Sequence, residues 1–200
     1  MLKRYIIWIG SVFLAALILF STEAYFTQKS IADKTIRLHV VANSDDTKDQ
    51  EQKLRLRDHL LGELRDLTSE CADFEEAEAK LRTALPMIEQ SAGKFLINEG
   101  SEYDISVSLC KEQFSTREYD TFSLPAGEYH ALRVVIGEGK GENWWCVVFP
   151  TLCNATTMEE LDRAAEKGGY DEEEIALIKQ ETKGYVLRFK VLEWLKGVFD

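Results

Sequence analysis

The spacing of apolar positions along the chain changes from a period of two to a helical period and back, and these changes delimit its elements. Ile36, Leu38, Val40 and Val41 in the run IRLHVV predict a buried strand. A polar corner follows, Asn43-Ser44-Asp45-Asp46-Thr47, and Thr47-x-x-Gln50 fits a capping box at the start of a helix. Leu54, Leu60, Leu61, Leu64 and Leu67 form the apolar stripe of that helix. A second helical stripe contains Phe74, Ala77, Leu81, Leu85, Ile88, Phe95 and Leu96. Pro86 within it is expected to kink or split the segment. Tyr103, Ile105, Val107 and Leu109 alternate with polar residues as a half-buried strand does. Phe114 to Leu124 is a weaker strand, ended by a Pro125-Ala126-Gly127 turn. The densest strand signals are Tyr129 to Ile136 and Trp144 to Phe149. The glycine-rich stretch from Gly137 to Asn143 between them predicts a hairpin with a long loop.

Thr157-x-x-Glu160 and Asp171-x-x-Glu174 then open two short helices, closed by Gly168-Gly169 and by Gly184. Tyr185 to Lys190 suits a last strand, and Val191, Trp194, Leu195 and Val198 a terminal helix. The order β-α-α-β-β-β-β-α-α-β/α predicts an α+β fold, a mainly antiparallel sheet with helices packed on it.

The N-terminus adds a location. Lys3 and Arg4 precede an uncharged run from Tyr5 to Thr22. As a helix it spans about 27 Å, marginal for a bilayer and long for a signal-peptide core. The basic flank keeps the N-terminus cytoplasmic, so the chain beyond Glu23 is expected outside the cytoplasm. Thr22-Glu23-Ala24 is a mediocre cleavage site, which leaves secretion and an uncleaved membrane anchor both open. Residues 1–24 are therefore read as signal peptide or anchor. Residues 25–200 are read as a single extracytoplasmic domain, long enough for a real core.

A net charge of −11 argues against nucleic acid and against broad adhesion to anionic lipid. The four cysteines, Cys71, Cys110, Cys146 and Cys153, form no CxxC pair, so zinc and dithiol redox motifs lack support. Export permits disulfides, and a Cys146–Cys153 bridge would close a small loop around Pro150; free buried thiols are the alternative.

Enzyme templates fail on identifiable parts. The Gly137–Gly141 loop precedes a strand, so no helix N-terminus is available for a phosphate, and Glu138 and Glu142 would repel one. His59 and Glu63 stand at i and i+4, but HExxH is absent and only three histidines exist. His39 lies within a strand and reads as structural. Ser44 near Asp45 with a distant His130 makes no nucleophile motif, and Cys146 lies inside an apolar strand. Asp45 and Asp46, adjacent at a helix start, fit capping better than catalysis. No catalytic residue, metal or cofactor is expected.

What remains is surface. Asp49, Lys53 and Arg57 step by four along the first helix, on a face other than its apolar stripe. They are either a solvated face with weak ion pairs or part of a recognition surface with Asn43, Ser44 and Asp45. Trp144 and Trp145 must point to opposite sides of their strand, so one faces the core while the other lies under a helix or is exposed. Arg133 breaks an apolar sheet face and either pairs with a carboxylate such as Glu128 or waits for one on a partner.

Two blocks, RLHVVANSDDTKDQEQKLRLRDHL and LPAGEYHALRVVIGEGKGENWWCVVFPTLC, behind one N-terminal hydrophobic segment, resemble the stage II sporulation protein R family. Thr151 departs from the second proline expected there after Pro150. The resemblance covers nearly the whole chain. It implies an exported signalling protein, made in the forespore and sent to the space between the forespore and mother-cell membranes. There it would activate a membrane-embedded aspartic protease of the mother cell, which processes the sigma-E precursor. The alternative from another class is a cell-envelope hydrolase with a cryptic carboxylate or metal site, for which Asp45 and His59 are the test positions. A structural envelope protein is a third.

Overall fold

A computed structural model describes residues 2–179, the side chains at 2, 3, 6, 7, 13–21, 23 and 154 excepted. The expected last strand and terminal helix, and Gly184, lie outside the described residues. The fold is α+β, built on a mixed four-stranded sheet.

The central strand is β1 (Ile36–Val41). It pairs in parallel with β5 (Gly127–Ile136), Val40 opposite Val134, and antiparallel with β6 (Asn143–Phe149), Val40 opposite Trp144. On the far side of β5 runs β2 (Ile105–Phe114), antiparallel, giving the order β2-β5-β1-β6. The sheet is mainly antiparallel, as expected, with two of its three pairings antiparallel, and it is mixed because the central pairing is parallel. One expectation is overturned. The two densest strands are not a hairpin, because β1 lies between them. The length of the 137–142 connection has its cause in this arrangement: it must span two interstrand spacings, roughly 10 Å, where a tight turn spans one.

One sheet face packs on two helices. In α2 (Thr47–Thr68) the inward stripe is Leu56, Leu60 and Leu64, which meets Ile36, Leu38 and Val40 in a common core. Leu54, expected in the stripe, is exposed. The capping box does not form: Asp46 is the N-cap residue without a side-chain cap, and the Gln50 amide bonds back to the Ser44 carbonyl instead. The second helix, α3 (Phe74–Asn98), is unbroken. Pro86 does not split it, because its ring faces solvent and it forfeits only one internal hydrogen bond. Asp73 caps the start, accepting from Glu76 N at 2.9 Å.

The other face carries a second core around Tyr129, Ala131 and Val147. It is covered by α1 (Leu2–Asp33), α4 (Met158–Lys167) and α5 (Glu172–Ile178). Thr157 and Asp171 cap α4 and α5 as the sequence predicts, the latter with a full capping box. Helix α1 runs unbroken past residue 24, and Ala24, Ile31 and Ala32 are buried against the sheet. Among the described residues no helix is long and apolar enough to cross a membrane. The stretch from Phe114 to Leu124 is not one strand. Phe114 ends β2, and β3 (Arg117–Glu118) pairs with β4 (Ser123–Leu124) as a separate two-stranded ribbon. A 3-10 turn at Leu152–Asn154 follows β6, and a disulfide joins Cys146 to Cys153, Cα atoms 6.3 Å apart, around Pro150. Cys71 and Cys110 are free.

Candidate partner-binding site

The polar corner after β1 clasps the β5–β6 crossover. In the main chain, Lys140 N donates to Asn43 O at 3.1 Å and Gly141 N to Ala42 O at 3.0 Å. Side chains complete the clasp: Glu138 N donates to Asn43 Oδ1 at 3.0 Å and Glu142 N to Asp45 Oδ1 at 2.7 Å. From α2, Lys53 Nζ donates to Glu142 O at 2.8 Å and to Gln50 Oε1 at 2.6 Å. Asn43 Nδ2 and Ser44 Oγ both donate to Asp49 Oδ2, at 2.8 and 2.7 Å. The glycines follow from this closeness. A Cβ on Gly141 would collide with the Ser44 carbonyl oxygen, and Gly137, at φ 56°, would press one on Asn43.

Asp49 and Lys53 therefore do not lie on a solvated face. They are 5% and 4% exposed, turned inward beside Leu56. A charged helix face tolerates this burial only with partners, and the corner and crossover supply them. Burial alone would push the Asp49 carboxyl up, but hydrogen bonds from Asn43, Ser44 and Tyr103 outweigh it and hold it below its ordinary value. Burial lowers the Lys53 ammonium from its ordinary value, against the attraction of Glu142 and Asp45. Of the recognition surface expected from sequence, Asn43 and Ser44 are half-buried and Asp45 keeps an exposed side chain that already accepts a bond.

The clasp sets where β6 begins, and β6 begins with Asn143, Trp144 and Trp145. Neither indole is fully buried; each packs at the margin of the core on its own face. Each also lies against a guanidinium. Arg57 of α2 is 4.6 Å from the Trp144 ring centre, and Arg117 of β3 is 3.6 Å from that of Trp145. Arg57 also pairs with Asp58 at 2.6 Å. His39 stacks on Trp145 at 5.7 Å, with Nδ1 2.7 Å from Glu112 and Nε2 2.8 Å from Asn143 Oδ1. Within the chain the carboxylate beside Arg133 is Glu112, at 3.2 Å, rather than Glu128. Arg117 was not legible as a site residue, since a lone arginine in a weak strand carries no signal. Its cation–π contact depends on the β3–β4 ribbon folding over the sheet.

The groups weighed for catalysis are held in structural contacts. Cys146 is in the disulfide, Ser44 is bound to Asp49, and His130 lies 3.4 Å from Glu78 with its ring edge-on to Phe74. His59 meets both Ser91 Oγ, at 3.0 Å, and Glu63, at 3.4 Å, through the same ring nitrogen, Nε2. A serine–histidine–acid relay needs the acid on the other nitrogen. Ser91 instead donates directly to Glu63. Among the described residues no three His, Cys, Asp or Glu side chains are grouped to hold a metal ion.

The geometry is that of an α+β domain whose first and second sequence blocks meet at the clasp and whose edge strand β6 carries arginine–tryptophan pairs. The comparisons give its family. The family model described as stage II sporulation protein R matches residues 32–159. The stage II sporulation protein R of Bacillus subtilis (strain 168) is 32% identical over 192 residues, covering 85% of this chain and 84% of that protein. No solved structure matches. The chain belongs to the stage II sporulation protein R family, and the matched span includes the clasp and all of β6.

Proposed function

We propose that this chain is an exported signal of endospore formation that acts by protein contact. It leaves the forespore through its N-terminal hydrophobic segment and engages a membrane-embedded aspartic protease of the mother cell. That contact activates processing of the sigma-E precursor. The observation that carries this reading is the family match, which spans the sheet and its clasp. Three features support it. The basic flank and uncharged run from Tyr5 to Thr22 suit export, a Cys146–Cys153 disulfide suits an oxidising compartment, and an exposed Asn143 beside half-buried tryptophans at the start of β6 suits docking. A ligand activates a receptor only by binding its active state more tightly than its inactive state. A protein surface of ordinary size can supply that difference.

The test is co-expression of the full chain with the protease and the sigma-E precursor in a non-sporulating host. Precursor cleavage that depends on this chain is the expected result, and uncleaved precursor with all three proteins present would reject the signalling reading. His59→Ala or Asp45→Asn abolishing cleavage while partner binding and fold survive would shift the reading to a hydrolase.

A further inference from the structure

The outer edge of β6 is the floor of a groove of about 630 Å³. Among the described residues no strand lies on that side of β6. Asp58 and Leu61 of α2 and Glu118 and Asp120 of the β3–β4 ribbon line it, with Leu152 and Ala155. The direction of the backbone follows from one bond. Val147 N donates to Cys153 Sγ at 3.1 Å, so it points away from β1. Main-chain groups in an antiparallel ladder alternate with a period of two, so the Trp145 N–H and C=O point the same way, off the sheet edge. The groove thus brings an aromatic surface at Trp144 together with a rim in which carboxylates outnumber cations, beside the outward main chain of Trp145. Its lining holds one cation, Arg57, against the carboxylates Asp58, Glu118 and Asp120, and Arg57 is already paired with Asp58. Glu118 and Asp120 are both exposed.

Deepening the signalling reading, on which the partner rests, we infer that this groove receives an extended basic segment of the partner protein as an added strand on β6. Main-chain bonds to Trp145 give the segment its direction. An apolar side chain lies on Trp144 and Leu61, and a Lys or Arg faces Glu118 and Asp120. Opposite charge at the rim selects the basic segment over an acidic one, which the same carboxylates repel. The clasp serves this edge, because it fixes the position at which β6 leaves the crossover.

Two measurements on the full chain test the inference. The first titrates the purified, isotope-labelled chain with the probe acetyl-Val-Lys-Val-Lys-Val-Lys-amide, and in parallel with the Glu-for-Lys version. The expected result is amide shifts centred on Trp144 and Trp145. Binding weakens at least about tenfold for the acidic probe, and also for the basic probe against the Glu118→Lys, Asp120→Lys double variant. Shifts elsewhere, no binding, or equal binding by the double variant overturns the groove. The second runs the co-expression assay with the double variant, beside Glu102→Lys as an exposed control. A loss of processing confined to the double variant supports the groove. Equal processing by both overturns it while leaving the signalling reading intact. If the unaltered chain triggers no processing, the signalling reading fails, and the titration alone decides the groove.

Discussion

Replacing Asp49 by alanine removes the oxygen on which Asn43 Nδ2 and Ser44 Oγ both close, 2.8 and 2.7 Å away. The carboxylate is 5% exposed, so water does not already share those bonds. Hydrogen bonds to an ionised group contribute roughly 1.5–3 kcal/mol each, and the freed donors are only half-buried and regain some water, so the expected loss is about 3 kcal/mol. For a domain of this size that lowers the midpoint of thermal unfolding by about 6–12 °C. A charge on a solvated helix face would change stability by less than about 1 kcal/mol. The assay is urea unfolding of Asp49→Ala beside the unaltered chain, followed by circular dichroism. A pH series adds a sign. The folded-state pKa is lowered from 3.8, so the stabilisation is present above that value and is lost as pH falls through the folded pKa. The stability gap between the unaltered chain and Asp49→Asn should therefore narrow on acidification below about pH 4. A loss under about 1 kcal/mol at neutral pH would refute the clasp and return Asp49 to the solvated face that was one of the two readings of its spacing.

Gly141→Ala should be more harmful than any alanine on the exposed face of α3, because its Cβ meets the Ser44 carbonyl; a midpoint within a degree or so of the unaltered chain, against the several degrees such a clash implies, would contradict the close approach. Cys146→Ser with Cys153→Ser opens a short loop and should lower stability by about 2.5 kcal/mol on chain-entropy grounds; unfolding that matches the unaltered oxidised chain would contradict the bridge. Arg37 is fully buried between the Phe114 and Tyr129 rings, with Nε and Nη1 unbonded among the described residues. Arg37→Met should leave stability unchanged or raise it, and a loss above about 2 kcal/mol would show that the charge is compensated.

Local signals in the chain placed β1, α2, the caps of α4 and α5, and the two blocks that meet at the clasp. What they could not show depended on strand order. Tyr129–Ile136 and Trp144–Phe149 look like hairpin partners because they are neighbours in sequence, yet β1 intervenes, from a position far upstream of both. The connection's length was the available clue. The same hidden pairing misdirected the reading of Asp49 and Lys53. A line of charges at i and i+4 reads as a solvated face or a recognition surface unless the acceptors and donors from the crossover are known. Pro86 misled in the opposite sense, since a breaker on a solvent-facing position leaves the helix intact. The arginine contacts to Trp144 and Trp145 come from two elements far apart in sequence, so no motif announced them.

The central claim is that this chain signals from outside the cytoplasm through contact with a protease. Its most direct measurement is the cleaved fraction of the sigma-E precursor in the co-expression host, with the full chain and with a chain lacking residues 2–23. The shortened chain keeps the buried Ala24, Ile31 and Ala32 of α1. Cleavage with the full chain, and none with the shortened chain held in the cytoplasm at equal abundance, is the predicted result. Equal cleavage by both would contradict an exported signal.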